Sequence, residues 1–156
     1  MDYHFVEREI FRRMIDQGEF AEWAKVYDDY YGTSLASLKG PLDKGLDVLM
    51  DVDVQGARSI RTLFKESTLI FVLPPSLQAL EERLRERGTD EPAALEKRIA
   101  RASREIGNCA RYDYLIFNDL LEEAVVEATS IITAERCRKA RRMARAEELF
   151  HLTPDR

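Results

Sequence analysis

Three short apolar runs stand out in an otherwise polar chain. They are Val48–Met50, Thr68–Leu73 and Tyr114–Phe117. None of them alternates apolar with polar residues, as a strand with one wet face does, so the pattern predicts strands buried on both faces. Helical stripes follow at three- and four-residue steps, over 77–84 and over 121–132. Strands that alternate with helices predict an α/β fold with a parallel sheet.

The first forty-four residues carry a different pattern. Val6, Ile10, Phe11, Met14 and Ile15 give a short amphipathic helix, which Gly18 is suited to end. Residues 19–27 are rich in aromatic residues and alternate roughly, and Asp28-Asp29 then predicts a turn before a second strand at Tyr30-Tyr31. This region therefore predicts a small antiparallel β insertion, followed by a helix from about Ser34 to Lys44.

An arginine-rich stretch over 83–104 interrupts the apolar rhythm. Gly88 and Pro92 act as breakers, and Asp90 is suited to cap a helix whose first turn holds Pro92. Two interpretations stay open for this stretch. It is either a mobile lid over a phosphoryl-transfer site or a pair of exposed charged helices.

Composition and charge narrow the class of protein. The chain has 156 residues, 45 % of them apolar and 34 % charged, which fits one soluble domain over residues 1–156. Its formal charge of -5 argues against nucleic acid as the main partner, although a small nucleotide needs only a few cations. Two cysteines, Cys109 and Cys137, support neither a disulfide framework nor a metal site. No membrane span or signal peptide is visible, so we expect a cytoplasmic protein.

Two carboxylates, Asp51 and Asp53, follow the first predicted strand. In open parallel sheets, ligands bind just beyond the carboxyl ends of strands, which favours a binding role. The alternative is that either of them caps the helix predicted to begin near Val54-Gln55-Gly56.

The string Asp51-Val52-Asp53-Val54-Gln55-Gly56 resembles the guanylate kinase pattern D-[IV]-D-x-Q-G. Four further segments resemble the same family in the same order: 2–6 (DYHFV), 18–24 (GEFAEWA), 30–34 (YYGTS), and 73–76 (LPPS) leading to 87–89 (RGT). The resemblance runs from Asp2 to about Glu135. It implies the parallel sheet of P-loop nucleoside monophosphate kinases with helices on both faces, a small antiparallel GMP-binding insertion over about 2–35 and a helical lid over about 83–104.

The resemblance also implies roles for individual residues. Glu22 and Asp53 would accept hydrogen bonds from guanine, and Thr33 would supply a hydroxyl. Tyr3 and Tyr31 would bind the GMP phosphate, and Asp51 would orient the GMP side of the site or a water on magnesium. As alternatives, Glu22 is an exposed strand residue and each tyrosine is an aromatic packed on the insertion.

The phosphoryl-transfer side of the site depends on positive charge. Arg83, Arg87 and Arg98 match the family's lid and core arginines, with Arg87 and Arg98 placed to clamp the moving phosphoryl group. Asn118 matches the asparagine that approaches the adenine of ATP, but Leu120 replaces the second aspartate of the family's N-D-D. Other arginines, Arg85, Arg101 and Arg104, do not match the motif, and we expect them on a solvated helix face.

The basic tail has no counterpart in the resemblance. Six cations, Arg136, Arg138, Lys139, Arg141, Arg142 and Arg145, extend a predicted helix there. They are either an anion-binding surface or, as we expect, a solvated face balanced by Glu147 and Glu148.

The sequence contains no G-x-x-x-x-G-K-[ST] loop, which holds the phosphates of MgATP in this family. It also lacks the T-R-x-P-R-x-G-E segment that supplies partner arginines for the GMP phosphate. We expect that the first strand and this loop lie upstream of Met1, and that residues 1–156 alone are unstable and inactive. The alternative is a derivative that has lost catalysis.

The resemblance implies ATP-dependent phosphorylation of GMP to GDP, with no nucleic acid or membrane as partner and no prediction for the oligomeric state. Two rivals stay open: a non-catalytic module that binds GMP or a phosphopeptide in the same cleft, and a kinase for another nucleoside monophosphate.

Overall fold

A computed structural model describes residues 4–26, 29–86 and 92–152 of the chain. The chain divides into two compact units, Met1–Leu69 and Ile70–Arg156. Within the described ranges, no helix combines the length and the apolar character needed to cross a membrane.

The first unit is built around a β hairpin with three helices. Its elements are α1 (Arg8–Asp16), β1 (Phe20–Val26), β2 (Asp29–Ser34), α2 (Leu35–Asp43) and α3 (Val54–Leu63). Strands β1 and β2 pair antiparallel, which confirms the predicted insertion. Of the predicted turn, Asp28 lies outside the described residues and Asp29 already belongs to β2.

Glycines end both of the first two helices, because each adopts a left-handed backbone that other residues avoid. Gly18, with φ 68°, donates its N–H to the carbonyl of Ile15, and Glu19 donates to Met14, both at 3.0 Å. Gly45, with φ 72°, ends α2 with the same pair of hydrogen bonds. At the other end of α2, Ser34 accepts from the N–H of Ser37 at 3.2 Å. The predicted helix from Ser34 to Lys44 is thereby confirmed.

The core of the first unit lies between the hairpin, α2 and α3. Ala21, Leu38 and Ile60 are buried there, and Leu35, Met50 and Phe64 pack against them. On the other side of the hairpin, α1 contributes Phe11, whose ring stacks on that of Phe20 at a centroid distance of 4.3 Å. Helix α3 packs directly on β1, which brings the start of α3 beside the hairpin.

The prediction of a buried strand at Val48–Met50 is wrong. Residues 46–53 form neither helix nor strand, and Leu49 is 85 % exposed. A strand needs a neighbouring backbone to satisfy its N–H and C=O groups, and no strand within the described residues pairs with this segment. Only Met50 packs against the core, so an apolar composition here does not correspond to burial.

The second unit contains a parallel pair of strands joined through helices. Its elements are β3 (Ile70–Leu73), α4 (Leu77–Glu86), α5 (Pro92–Ile106), a short 3₁₀ turn (Cys109–Arg111), β4 (Tyr114–Phe117), α6 (Leu121–Arg136) and α7 (Lys139–Phe150). The register runs from Ile70 opposite Tyr114 to Leu73 opposite Phe117. Asn118 continues the ladder by donating its N–H to the carbonyl of Leu73 at 2.7 Å. The predicted parallel α/β arrangement is confirmed.

The expectation that these two strands are buried on both faces is wrong. Leu73 and Ile116 are buried, but Val72 and Phe117 are 55 % and 57 % exposed. Only β3 and β4 form this sheet in the described structure, and α6 packs on β4. Paired residues of neighbouring strands share a face, so buried Leu73 lies beside exposed Phe117 and buried Ile116 beside exposed Val72. Each face of the strand pair is therefore only partly covered.

Helix α7 begins anew after a break at Cys137 and Arg138, instead of extending α6 as predicted. At the break, the carboxylate of Glu135 is only 5 % exposed. Its Oε1 accepts from the hydroxyl of Tyr114 at 2.9 Å and pairs with Nε of Arg138 at 3.1 Å, and its Oε2 lies 3.9 Å from Arg141. Two cations of the tail, Arg138 and Arg141, therefore pair with Glu135. The sequence predicted Glu147 and Glu148 for this role. We call Tyr114, Glu135, Arg138 and Arg141 the Glu135 cluster.

Candidate functional site

Glu22 and Thr33 lie directly opposite each other in the hairpin. The hydroxyl of Thr33 donates to Oε1 of Glu22 at 2.6 Å, and both side chains are half-buried. Between Phe20 and Glu22 the register shifts by one residue, so Ala21 is the extra residue of a β-bulge. A bulge re-aims the side chains that follow it, and here it sets Glu22 opposite Thr33. Two of the three side chains predicted to bind the base are thus held together.

Asp53 occupies the cap of α3. Its Oδ1 accepts from the N–H groups of Gln55 at 3.0 Å and Gly56 at 2.9 Å. The helix-capping role, one of the two predicted alternatives for Asp53, is therefore confirmed. A carboxylate has two oxygens, and both of these hydrogen bonds use the same one, so capping does not exclude a contact with a base. Asp51 is exposed two residues earlier and does not cap the helix.

Gly56, in the first turn of α3, connects Glu22 with Asp53. A Cβ built on Gly56 would lie 3.5 Å from Oε2 of Glu22. The carboxylate of Glu22 therefore extends from Thr33 on one side to the start of α3 on the other. Glu22 and Asp53, which we call the acidic group, suit a ligand that presents N–H donors.

Two aromatic residues of the hairpin are exposed, Tyr31 on the face that carries Thr33 and Trp23 on the opposite face. Tyr31 precedes Gly32 and Thr33 in β2, and Trp23 follows Glu22 in β1. Trp23 is the only tryptophan of the chain, and its ring lies 6.2 Å from that of Tyr30. The other predicted phosphate ligand, Tyr3, lies outside the described residues.

The arginines predicted for phosphoryl transfer belong to the second unit. Arg83 is exposed on α4, Arg98 is half-buried on α5, and these two helices pack together. Arg87, Gly88 and Asp90 lie outside the described residues. Pro92 is the first residue of α5, as predicted from its place after Asp90. Asn118 stands at the end of β4, half-buried.

Three further arginines of α4 and α5 behave as residues of a solvated helix face, as predicted. Arg85 pairs with Glu81 at 3.3 Å, and Arg101 pairs with Glu105 at 2.7 Å. The Nε of Arg104 donates to the carbonyl of Ala100 at 3.1 Å. Across the described ranges, no group of His, Cys, Asp and Glu is arranged to hold a metal ion.

Sequence reasoning missed the position of Gly56. A glycine inside a helix costs about 1 kcal/mol relative to alanine, so its presence in a first turn is a signal of close approach by another group. The string Asp53-Val54-Gln55-Gly56 contained this signal, but it names no partner for the glycine. The partner, Glu22, is 34 positions away in the sequence.

Comparison with known proteins agrees with this architecture. The sequence model of the family described as "Guanylate kinase" matches residues 1–135. The guanylate kinase of Carboxydothermus hydrogenoformans is 45 % identical over 139 residues, which cover 89 % of this chain and 68 % of that protein. The guanylate kinase of Vibrio cholerae is 46 % identical over 143 residues, or 92 % and 69 % of the two chains.

A solved structure gives the same result at the level of the fold. The crystal structure of guanylate kinase from Anaplasma phagocytophilum superposes with a TM-score of 0.76 at 32 % identity, covering 97 % of this chain and 76 % of that one. The family match and the shared fold place the chain among the α/β kinases, which are transferases. The chain belongs to the guanylate kinase family.

Proposed function

We propose that this protein transfers the γ-phosphoryl group of ATP to GMP, giving GDP and ADP. The observation that carries the proposal is the pairing of Glu22 with Thr33 on a hairpin of a chain that belongs to the guanylate kinase family. The relatives are named guanylate kinase, so the alternative of a non-catalytic phosphopeptide module is not favoured.

Recognition of guanine follows from the donors and acceptors of its edge. Guanine presents N1–H and an exocyclic amine as donors and O6 as an acceptor, and Glu22 and Asp53 supply carboxylate acceptors. A hydroxyl has one hydrogen, so Thr33 cannot donate to Glu22 and to the base at once. We expect the hydroxyl to turn from Glu22 to the base, which leaves Oε1 of Glu22 to accept from guanine. Adenine has an acceptor at N1 and no amine at C2, so at these positions it would offer the carboxylates no N–H donor.

The phosphate groups are assigned to residues outside the acidic group. Tyr31, together with Tyr3, would donate hydroxyl hydrogen bonds to the GMP phosphate, and Asp51 would orient the GMP side of the site or a water on magnesium. Arg83, Arg87 and Arg98 would neutralise the charge that spreads over the equatorial oxygens of the moving phosphoryl group. Asn118 would contact the adenine of ATP. Magnesium would enter with ATP as part of the donor substrate.

A fluorescence titration tests the GMP-binding part of the proposal. Trp23 directly follows Glu22 in β1 but lies on the opposite face of the hairpin, so its emission is an indirect probe of changes in β1 on binding. We expect saturable quenching by GMP and none by AMP at the same concentration. Glu22→Gln should weaken GMP binding by about tenfold or more, the cost of losing a charged acceptor. Glu19→Gln is the matched control, because Glu19 is exposed and precedes β1.

Turnover is measured separately, with a coupled assay for ADP in the presence of MgATP. Phosphorylation of GMP but not of AMP would support the assignment. Equal turnover of both acceptors, or quenching by AMP equal to that by GMP, would refute it.

A further inference from the structure

Gly56 lies next to both of the carboxylates that we propose bind the base, those of Asp53 and Glu22. Its N–H donates to Oδ1 of Asp53 at 2.9 Å. The space where a side chain would begin lies 3.5 Å from Oε2 of Glu22. Gly56 is itself buried, so this contact is part of the packing between α3 and β1.

A side chain at Gly56 would disturb this arrangement in a defined way. Its Cβ would lie 3.0 Å from Cβ of Val52, closer than ordinary van der Waals contact allows. Val52 immediately precedes Asp53, so relief of the overlap moves the cap residue away from the helix. On its other side the new methyl group would touch Oε2 of Glu22 and replace water or a donor with an apolar surface.

We propose that Gly56 is a positioning residue that sets the spacing between the carboxylates of Glu22 and Asp53, and thereby selects guanine over bases with fewer donors. The inference rests on the proposed function, since it assumes that both carboxylates accept from the base. Guanine offers N1–H and an amine hydrogen side by side, so it needs two acceptors at a fixed separation. Hypoxanthine lacks the amine and makes less use of the second acceptor.

The test compares GMP with IMP in Gly56→Ala. The quenching of Trp23 gives the Kd of each nucleotide. We expect the Kd for GMP to rise about tenfold, the effect of one misaligned hydrogen bond to a charged group, while the Kd for IMP changes much less. The preference for GMP over IMP therefore falls. A merely structural role would weaken both nucleotides equally and leave the preference unchanged.

Ser59→Ala is the control, because Ser59 is exposed on the same helix as Gly56 and its hydroxyl donates to the carbonyl of Gln55 within that helix. It should leave both dissociation constants as they are. If Gly56→Ala does not fold, Val52→Gly/Gly56→Ala removes the 3.0 Å contact and keeps the contact with Glu22. Compared with Val52→Gly alone, it should still lose preference for GMP.

The outcomes separate the inference from the proposed function. A wild-type protein that does not bind GMP would overturn the proposed function itself. A wild-type protein that binds GMP, together with an unchanged GMP/IMP preference in the Gly56 variants, would overturn only the role of Gly56.

Discussion

The hydroxyl of Thr33 and the carboxylate of Glu22 form a 2.6 Å hydrogen bond across the hairpin of β1 and β2. Hydrogen bonds to ionised acceptors are shorter and stronger than neutral ones, and this distance lies in their usual range. The bond restricts the rotamers of a glutamate that would otherwise be free to turn. Glu22 is thus already ordered in the free protein, so exchanging Thr33 for guanine as its donor loses less side-chain entropy than ordering a free glutamate would.

Thr33→Val tests this preorganisation, because valine keeps the shape of threonine without the hydroxyl. We expect a loss of about 1 kcal/mol in the free energy of unfolding and a GMP affinity about tenfold lower. Urea unfolding and the Trp23 titration measure the two effects. Thr33→Ser keeps the hydroxyl and should retain most of the affinity. Equal GMP affinities for the valine and serine variants would show that the hydroxyl is irrelevant.

Gly32→Ala should destabilise the hairpin. A Cβ on Gly32 would lie 2.8 Å from the carbonyl oxygen of Glu22 and 2.9 Å from Cβ of Trp23, so β2 must move away from β1. Overpacking of this kind costs about 1–3 kcal/mol. An unchanged urea midpoint in Gly32→Ala would contradict the steric explanation.

Substitutions of Asp53 separate its two roles. Asn caps helices about as well as Asp, so Asp53→Asn should keep the stability of the protein while it weakens GMP binding about tenfold or more. Asp53→Ala should lose the same affinity and, in addition, about 1 kcal/mol of stability. Both are checked by thermal unfolding and the GMP titration. If the asparagine variant binds GMP as the wild type does, Asp53 is a helix cap alone.

Alkaline pH should weaken the protein through Tyr114. The hydrogen bond to Glu135, with burial and the charge of Glu135 as smaller causes, raises the pKa of Tyr114 above its usual value of 10.0, and Arg138 opposes the shift. A raised folded-state pKa means that the stabilisation is fully present below pH 10 and is lost as the pH rises through the folded-state value.

Tyr114→Phe has no such group, so its stability relative to the wild type should improve as the pH rises above about 10. Urea midpoints across this range measure the difference. Tyr30→Phe is the control, since its ring lies in the hairpin and stacks on Phe11. A constant difference between Tyr114→Phe and the wild type over the whole range would rule out the linkage.

Local signals in the sequence predicted those elements that local chemistry determines. Gly18 predicted the end of α1 because only a left-handed residue completes the hydrogen bonds there. The apolar run Tyr114–Phe117 coincides with β4. Val48–Met50 has the same kind of composition and is not a strand, because strand formation depends on a partner that composition does not reveal.

The same distinction between local signals and long-range contacts applies to the candidate site. The resemblance named Glu22 and Thr33, and the bulge at Ala21, which brings them opposite each other, is a property of strand pairing. The cap formed by Asp53 was one of two predicted alternatives, because an aspartate before a helix is a local signal. The contact between Gly56 and Glu22 depends on the packing of α3 on β1, which no local pattern encodes.

The Glu135 cluster has a consequence for the end of the chain. Glu135 is the last residue matched by the family model, and Arg138 and Arg141, which follow it in the sequence, pair with it. A buried carboxylate stripped of its cations is costly, so these two arginines act as counterions that the chain itself keeps beside Glu135. Loss of both arginines would leave a buried negative charge where α6 ends and α7 begins.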